Sequence, residues 1–228
     1  MHLDLIREIQ SQANPEKAKL LMRFFKTGKG QYGEGDRFLG LIVPVQRQIA
    51  KQFKTLPLKE TEKVLQSPIH ECRLTALFIL IEQYPKATEE VKQEIIDLYL
   101  HNLRFVNNWD LVDLSAPRML GNHLLTKDKS LLYKLAHSTN LWEKRVGVLS
   151  TFWFIKYKEY KDALAIAEIL VYDKHDLIHK AVGWMLREIG KQDLVVEKQF
   201  LDKYFQTMPR TMLRYAIERF DPTSKAYY

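Results

Sequence analysis

The chain has a single cysteine, Cys72, so no intrachain disulfide is available and a reducing compartment, the cytoplasm, is expected. Cys72 sits beside Leu74, Ala76 and Leu77, as a core thiol would, which argues against a nucleophile. Long apolar runs are missing too. The strongest, Leu74 to Ile81, is broken by Thr75 and is far too short to span a bilayer. The N-terminal Met1-His2-Leu3-Asp4 lacks the basic-then-apolar order of a signal peptide. Glycine and proline are sparse, 9 and 8 in 228 residues, and fall mostly between apolar-periodic segments. No alternating stretch is long enough to argue for a sheet. Paired cysteines, a His-x-x-x-His site with an obvious third ligand, a Gly-x-Ser-x-Gly elbow, a dinucleotide fingerprint and a P-loop are all absent. His175 and His179 stand at i, i+4 without that third ligand. No cofactor and no metal are expected.

What the chain has is helical periodicity. Leu74, Leu77, Phe78 and Ile81 form one apolar stripe, and Val91, Ile95, Leu98 and Tyr99 another. Hydrophobic residues make up 46% and charged residues 28%, a composition that can bury a core. Helix starts are expected at Asn14-Pro15, Ser67-Pro68, Thr88-Glu89, Asp128-Lys129-Ser130 and Asn107-Asn108. About a dozen helices joined by short turns follow. The stretch 27–35 holds four of the nine glycines and reads as a flexible loop before the Phe38–Phe53 region.

The sequence also repeats. Arg73-Leu74-Thr75-Ala76-Leu77, Trp109-Asp110-Leu111-Val112-Asp113, Arg145-Val146-Gly147-Val148-Leu149 and Ala181-Val182-Gly183-Trp184-Met185 begin at 73, 109, 145 and 181, a constant step of 36. Arg214-Tyr215-Ala216-Ile217 begins a shortened fifth copy. That period suits a helical hairpin which must stack on its neighbours. Small residues at the third or fourth place, Ala76, Gly147, Gly183 and Ala216, let helices approach closely. The expectation is an all-α solenoid of HEAT-like helical hairpins over 1–228, one superhelical domain with a concave basic groove.

In such a solenoid the second helix of each pair lines the inner side, and equivalent positions form rows. Arg73, Trp109 and Arg145 occupy one row, where plain packing favours small or aliphatic residues. Trp184 lies one turn after Ala181, and Asp113 one turn after Trp109. Trp109, Asp113, Arg145 and Trp184 are therefore expected to converge. Taken singly, each tryptophan is better explained as packing and each charge as a salt bridge. Trp142 and Trp153 are assigned to the core. As a set, the four suit cleavage of a glycosidic bond to a cationic purine. A carboxylate stabilises an oxocarbenium-like sugar and orients water. A base already cationic leaves without a general acid, so one carboxylate suffices where ordinary glycosidases need two. Indole faces attract the cationic base, and arginine grips a phosphate.

The net charge of +7 favours a polyanionic partner. Arg47, Lys51 and Lys54 read as one helix face, while Lys144, Lys180 and Arg187 lie near the expected site. Together they are expected to touch DNA phosphates. No basic amphipathic segment stands apart, so nucleic acid is favoured over a membrane.

Three segments give the chain a resemblance to a known family. They are Asn107-Asn108-Trp109-Asp110-Leu111-Val112-Asp113, Trp142-Glu143-Lys144-Arg145, and His179-Lys180-Ala181-Val182-Gly183-Trp184-Met185-Leu186-Arg187-Glu188. In these the chain resembles the AlkD-like DNA alkylation repair enzymes, HEAT-repeat glycosylases for alkylated purines. The resemblance spans nearly the whole chain in the same order. It implies that Asp113 is the catalytic aspartate, Trp109 and Trp184 the sugar- and lesion-facing tryptophans, and Arg145 the phosphate-side arginine. It also implies a monomer acting on double-stranded DNA that carries 3- or 7-alkylated purines, without flipping the base. The competing expectation is a non-catalytic HEAT-like scaffold that binds nucleic acid or protein.

Overall fold

A computed structural model describes residues 1–228 and contains helices and turns with no strand. The only extended pairing is an isolated parallel bridge between Arg37 and Ile69. The chain divides into two compact units, 1–111 and 112–228.

The first unit contains α1 (His2–Ser11), α2 (Pro15–Phe24), α3 (Val43–Gln52), α4 (Leu58–Leu65), α5 (His70–Gln83) and α6 (Glu89–His101), and it ends within α7 (Trp109–Ser115). Asn14 caps α2 as expected, accepting from the Lys17 amide at 2.9 Å with proline following at the first helical position. Thr88 caps α6 through the Val91 amide. Ser67-Pro68 does not open α5. The chain stays extended through Ile69, because His70 donates its amide to the Arg37 carbonyl at 2.9 Å, and the helix begins only there. α5 is the axis of this unit and packs on α3 and α4; its residues His70 to Leu80 are all buried, including Cys72. Burial pushes the Cys72 thiol up to about 11, as befits a core residue that is inert as a nucleophile.

The 27–35 loop is closed by its own bonds. Gly28 donates to the Gln31 side chain, Gly30 to Glu34, and Gly33 to the Lys26 carbonyl. Beyond it the chain is anchored by Glu71, a buried carboxylate that accepts from the backbone amides of Leu39, Gly40 and Leu41 at 2.8–3.2 Å. Gly40 has φ +93°, and a Cβ there would strike the Asn14 carbonyl at the start of α2, so glycine is required at this crossing.

The second unit holds the rest of α7, a π-helical turn at Pro117–Gly121 and α8 (Asn122–Leu124), followed by three stacked hairpins. They are α9 (Ser130–Ala136) with α10 (Leu141–Lys156), α11 (Lys161–Leu170) with α12 (Asp176–Gln192), and α13 (Leu194–Tyr204) with α14 (Arg210–Ala216). A single turn (Ile217–Arg219) and α15 (Pro222–Tyr227) follow. Pro117 supplies no amide, and the Gly121 amide reaches back five residues to the Ala116 carbonyl at 2.9 Å. The long helices α10 and α12 and the short α14 pack one on the next. Gly183 makes that stacking close, since a Cβ there would meet the Met212 carbonyl and lie 2.6 Å from Tyr215 Cβ. A Cβ at Gly147 would sit 3.1–3.3 Å from α9 by the same measure. In this unit the helices that contain the 36-residue repeat, α10, α12 and α14, are thus the second members of successive hairpins, as the sequence implies.

Candidate functional site

α7 has an unusual N-terminus. Asn108 is fully buried and accepts from the Trp109 amide at 2.9 Å. Its own amide nitrogen donates to Asp36 at 3.2 Å. Asp36 also accepts from Arg73 Nη2 at 2.6 Å and from His70 Nδ1 at 3.1 Å. His70 Nε2 is 2.8 Å from Asp110 Oδ2. A histidine whose two ring nitrogens both face carboxylates must donate twice, which requires the imidazolium. Burial opposes that charge, but the Asp110 carboxylate and hydrogen bonds to Asp110 and Asp36 outweigh it and raise His70 to about 9. Burial also opposes the charge on Asp36, yet His70 and Arg73 hold its pKa below the usual value. This buried charged network of the first unit fixes the start of α7. Sequence reasoning expected the helix start at Asn107-Asn108 and flagged Arg73 as an odd member of its row, but did not foresee the parts played by Asp36, His70 and Asp110.

Trp109 follows directly. It is half-buried and stacked on Phe25 at 5.0 Å and 19°, with the edge of Phe24 at 5.7 Å. Phe25 in turn stacks on Phe38, and the three belong to one cluster with Ala18, Leu21 and Met22. One indole face is therefore engaged in packing.

In the second unit, Arg145 and Asp113 form a direct pair. Arg145 Nε donates to Asp113 Oδ1 at 2.8 Å and Nη2 donates to Oδ2 at 2.7 Å. Nη1 donates to the Leu177 carbonyl in the first turn of α12. The side chains are 6% and 13% exposed, so the arginine is buried while the carboxylate keeps some access to solvent. The neighbouring Lys144 pairs with Asp173, just before α12. His175 caps α12, its Nδ1 accepting from the Leu177 amide at 3.1 Å, and the ring of His179 donates to the Asp173 carbonyl at 2.5 Å. Both histidines thus serve the helix start. Burial, reinforced by Lys144, lowers the His175 pKa. α10 therefore grips the beginning of α12 through adjacent residues, and the same arginine clamps Asp113.

Trp184, two turns into α12, is half-buried. Its indole N–H donates to Glu188 at 2.9 Å and its ring tilts against Phe152 at 6.1 Å. Trp142 and Trp153 are half-buried as well, so neither is sealed in the core.

The basic residues have varied settings. Arg47 lies over the Phe78 ring at 4.1 Å and is half-buried. Lys51 is exposed on α3, but α3 ends at Gln52, so Lys54 is not on that helix face; it lies exposed in the following turn, with its carbonyl bound by Gln83. Lys180 pairs with Asp176 one turn back, and Arg187 pairs with Glu218. No group of three or more His, Cys, Asp or Glu side chains is arranged to hold a metal ion, and no helix is long and apolar enough to cross a membrane.

The arrangement can present a fixed, ionised carboxylate. Arg145 holds both Asp113 oxygens, and the 13% of the Asp113 side chain that stays exposed is where a water or a substrate can meet it.

Solved structures share this fold. A predicted DNA alkylation repair enzyme from Enterococcus faecalis superposes with a TM-score of 0.73 at 17% identity, covering 92% of this chain and 98% of its own. AlkD2 from Streptococcus mutans gives 0.56 at 17% identity over 91% and 99% of the two chains. The smu.31 protein of Streptococcus mutans UA159 gives 0.54 at 17% identity over 96% and 99%. No curated protein matches in sequence. The family model described as DNA alkylation repair enzyme matches residues 5–220, so the chain belongs to the DNA alkylation repair enzyme family.

Proposed function

We propose that this chain is a DNA glycosylase that hydrolyses the N-glycosidic bond of cationic 3- or 7-alkylated purines in double-stranded DNA. The observation that carries the reading is the Asp113–Arg145 pair, a carboxylate held in a two-point grip with part of its surface open. As the bond to the base lengthens, positive charge grows on the sugar, and a fixed carboxylate stabilises it without reorganising. The exposed part of the Asp113 carboxylate can accept from the attacking water and aim its oxygen at the sugar. The leaving base is already positive and departs neutral, so neither a second acid nor a metal is needed.

In this reading Trp109 and Trp184 supply aromatic surface to the sugar and the cationic base. Arg145 acts chiefly through Asp113. Three of its five N–H groups are already committed, so its role is to orient and hold the acid, with at most the remaining two facing a phosphate. Lys51 and Lys54, which are exposed, are the better phosphate contacts among the six basic residues, and Arg47, Lys144, Lys180 and Arg187 follow. The protein acts as a monomer in the reducing interior of the cell, and it acts on the stacked base without flipping it, as the family resemblance implies.

The test is to incubate the protein with methylated duplex DNA and assay free 7-methylguanine and 3-methyladenine. Release above the spontaneous rate supports the reading. Tight binding to the same DNA with no release at any enzyme concentration refutes it and leaves a DNA-binding scaffold.

A further inference from the structure

A second candidate site lies at the C-terminal end of the second unit, among residues the proposed reaction does not use except for Arg187. There α12, α13, the Ile217–Arg219 turn and α15 surround a cavity of about 290 Å³. That is near the lower end of the ~300–1,000 Å³ typical of small-ligand sites. Two features distinguish it from an incidental crevice.

The first is a pair of buried polar atoms without partners. Glu197 is 2% exposed and its Oε1 makes no hydrogen bond. Arg187, on the facing helix, is bound to Glu218 through Nη1, yet its buried Nε is also unpartnered. Unsatisfied buried groups cost free energy and are few in folded proteins, so two within residues that line one cavity point to a polar occupant that a small side-chain shift lets them reach. Space for the Glu197 side chain is made by Gly190, where any Cβ would collide with the carboxyl oxygen. Burial, only partly offset by Arg187, pushes Glu197 up to about 8, which leaves a neutral acid at pH 7. A neutral carboxyl offers one donor and one acceptor side by side.

The second is cationic charge at the rim. Lys191 is bound to Glu188, but Lys198 and Arg219 are in no ion pair; Lys198 lies over the Phe220 ring at 5.8 Å. The Asp221 carboxylate, which also lines the cavity, is engaged by the Ser224 amide. Two uncommitted cations suit a dianion better than a monoanion, since a carboxylate would leave one of them unmatched.

We infer that this cavity binds a small phosphomonoester whose phosphate meets Lys198 and Arg219 and whose polar head pairs with Glu197 and Arg187. The proposal stands apart from the glycosylase reading and does not depend on it.

The experiment is isothermal titration of the full chain with each deoxynucleoside 5′-monophosphate, deoxyribose 5-phosphate and inorganic phosphate. The variants are Lys198→Ala/Arg219→Ala, Glu197→Gln and Glu197→Leu, each checked for native circular dichroism. At least one phosphomonoester is expected to bind saturably and more tightly than inorganic phosphate. The double alanine variant is expected to weaken it by about tenfold or more, the loss of a charge-assisted hydrogen bond. Glu197→Leu should weaken it as well, while Glu197→Gln, which keeps a donor and an acceptor, retains most of the affinity. The rim variant stays informative if Glu197→Leu fails to fold, because both rim residues are polar and Arg219 is exposed. No saturable binding by any phosphomonoester overturns the proposal. So does binding that the double variant leaves unchanged, or binding no tighter than that of inorganic phosphate.

Discussion

Replacing Arg145 by alanine tests directly how the acid is held. The substitution removes the two bonds to Asp113 and the one to the Leu177 carbonyl. Breaking a buried pair from one side costs about 3–5 kcal/mol, because the remaining charge is left uncompensated. Asp113 is 13% exposed, so water replaces part of what is lost, and the lower end, about 3 kcal/mol, is expected. With a urea slope of about 2–3 kcal/mol per molar, the midpoint falls by about 1–1.5 M. Tryptophan fluorescence suits the measurement, since Trp142, Trp153 and Trp184 all lie in the second unit. Asp113→Ala strands the more deeply buried partner, so it is expected to cost at least as much. The double variant should be less destabilised than the two singles added together, by about 1–3 kcal/mol of coupling. If the costs add to within about 0.5 kcal/mol, the pair contributes nothing as a pair, and the orienting role of Arg145 fails.

Three further outcomes are expected. His70 is a charged donor in the fold, so its stabilisation is fully present below its ordinary value of 6.5 and is lost as pH rises through about 9. Wild type should therefore lose more stability than His70→Gln between pH 6 and pH 9.5 in urea titrations, and equal losses would refute the double-carboxylate bridge. Glu197 shifts the opposite way for an acid: folding keeps it neutral, at a cost that grows as pH rises from 4.5 to about 8. Glu197→Gln should accordingly gain stability relative to wild type across that interval, and a flat difference would place an ionised Glu197 in the fold. Gly183→Ala forces α12 and α14 apart at the Met212 carbonyl and should lower stability by about 1–3 kcal/mol in the same assay.

Much of the fold was legible because hairpin stacking imposes a period on the sequence. The rows led by Arg73, Arg145 and Ala181 fall within α5, α10 and α12, and Trp109 opens α7. The caps at Asn14 and Thr88 were legible from local chemistry alone. Asn140, Asp193 and Asp221 are equally good caps that accept from the first amides of α10, α13 and α15, but no proline follows the first two to advertise them. Ser67-Pro68 misled because a distant strand-like contact with Arg37 delays the helix.

At the site, Asp113 and Arg145 were readable as a set through the repeat register. That they bind each other was not, since the pairing depends on where α10 places Arg145 against Asp113 of α7. The Asp36–His70–Asp110 bridge was still less legible. Its members lie 34 and 40 positions apart and share no motif, and only the odd arginine at Arg73 marked the place.

The central claim is that the Asp113 carboxylate carries base excision, and single-turnover release of 7-methylguanine from methylated duplex DNA tests it most directly. The comparison is wild type against Asp113→Asn, with folding and DNA affinity measured on both. The account predicts release slowed by about 100-fold or more, the scale seen when one preorganised electrostatic group is lost, with DNA still bound. Equal release by a folded Asp113→Asn protein would contradict it.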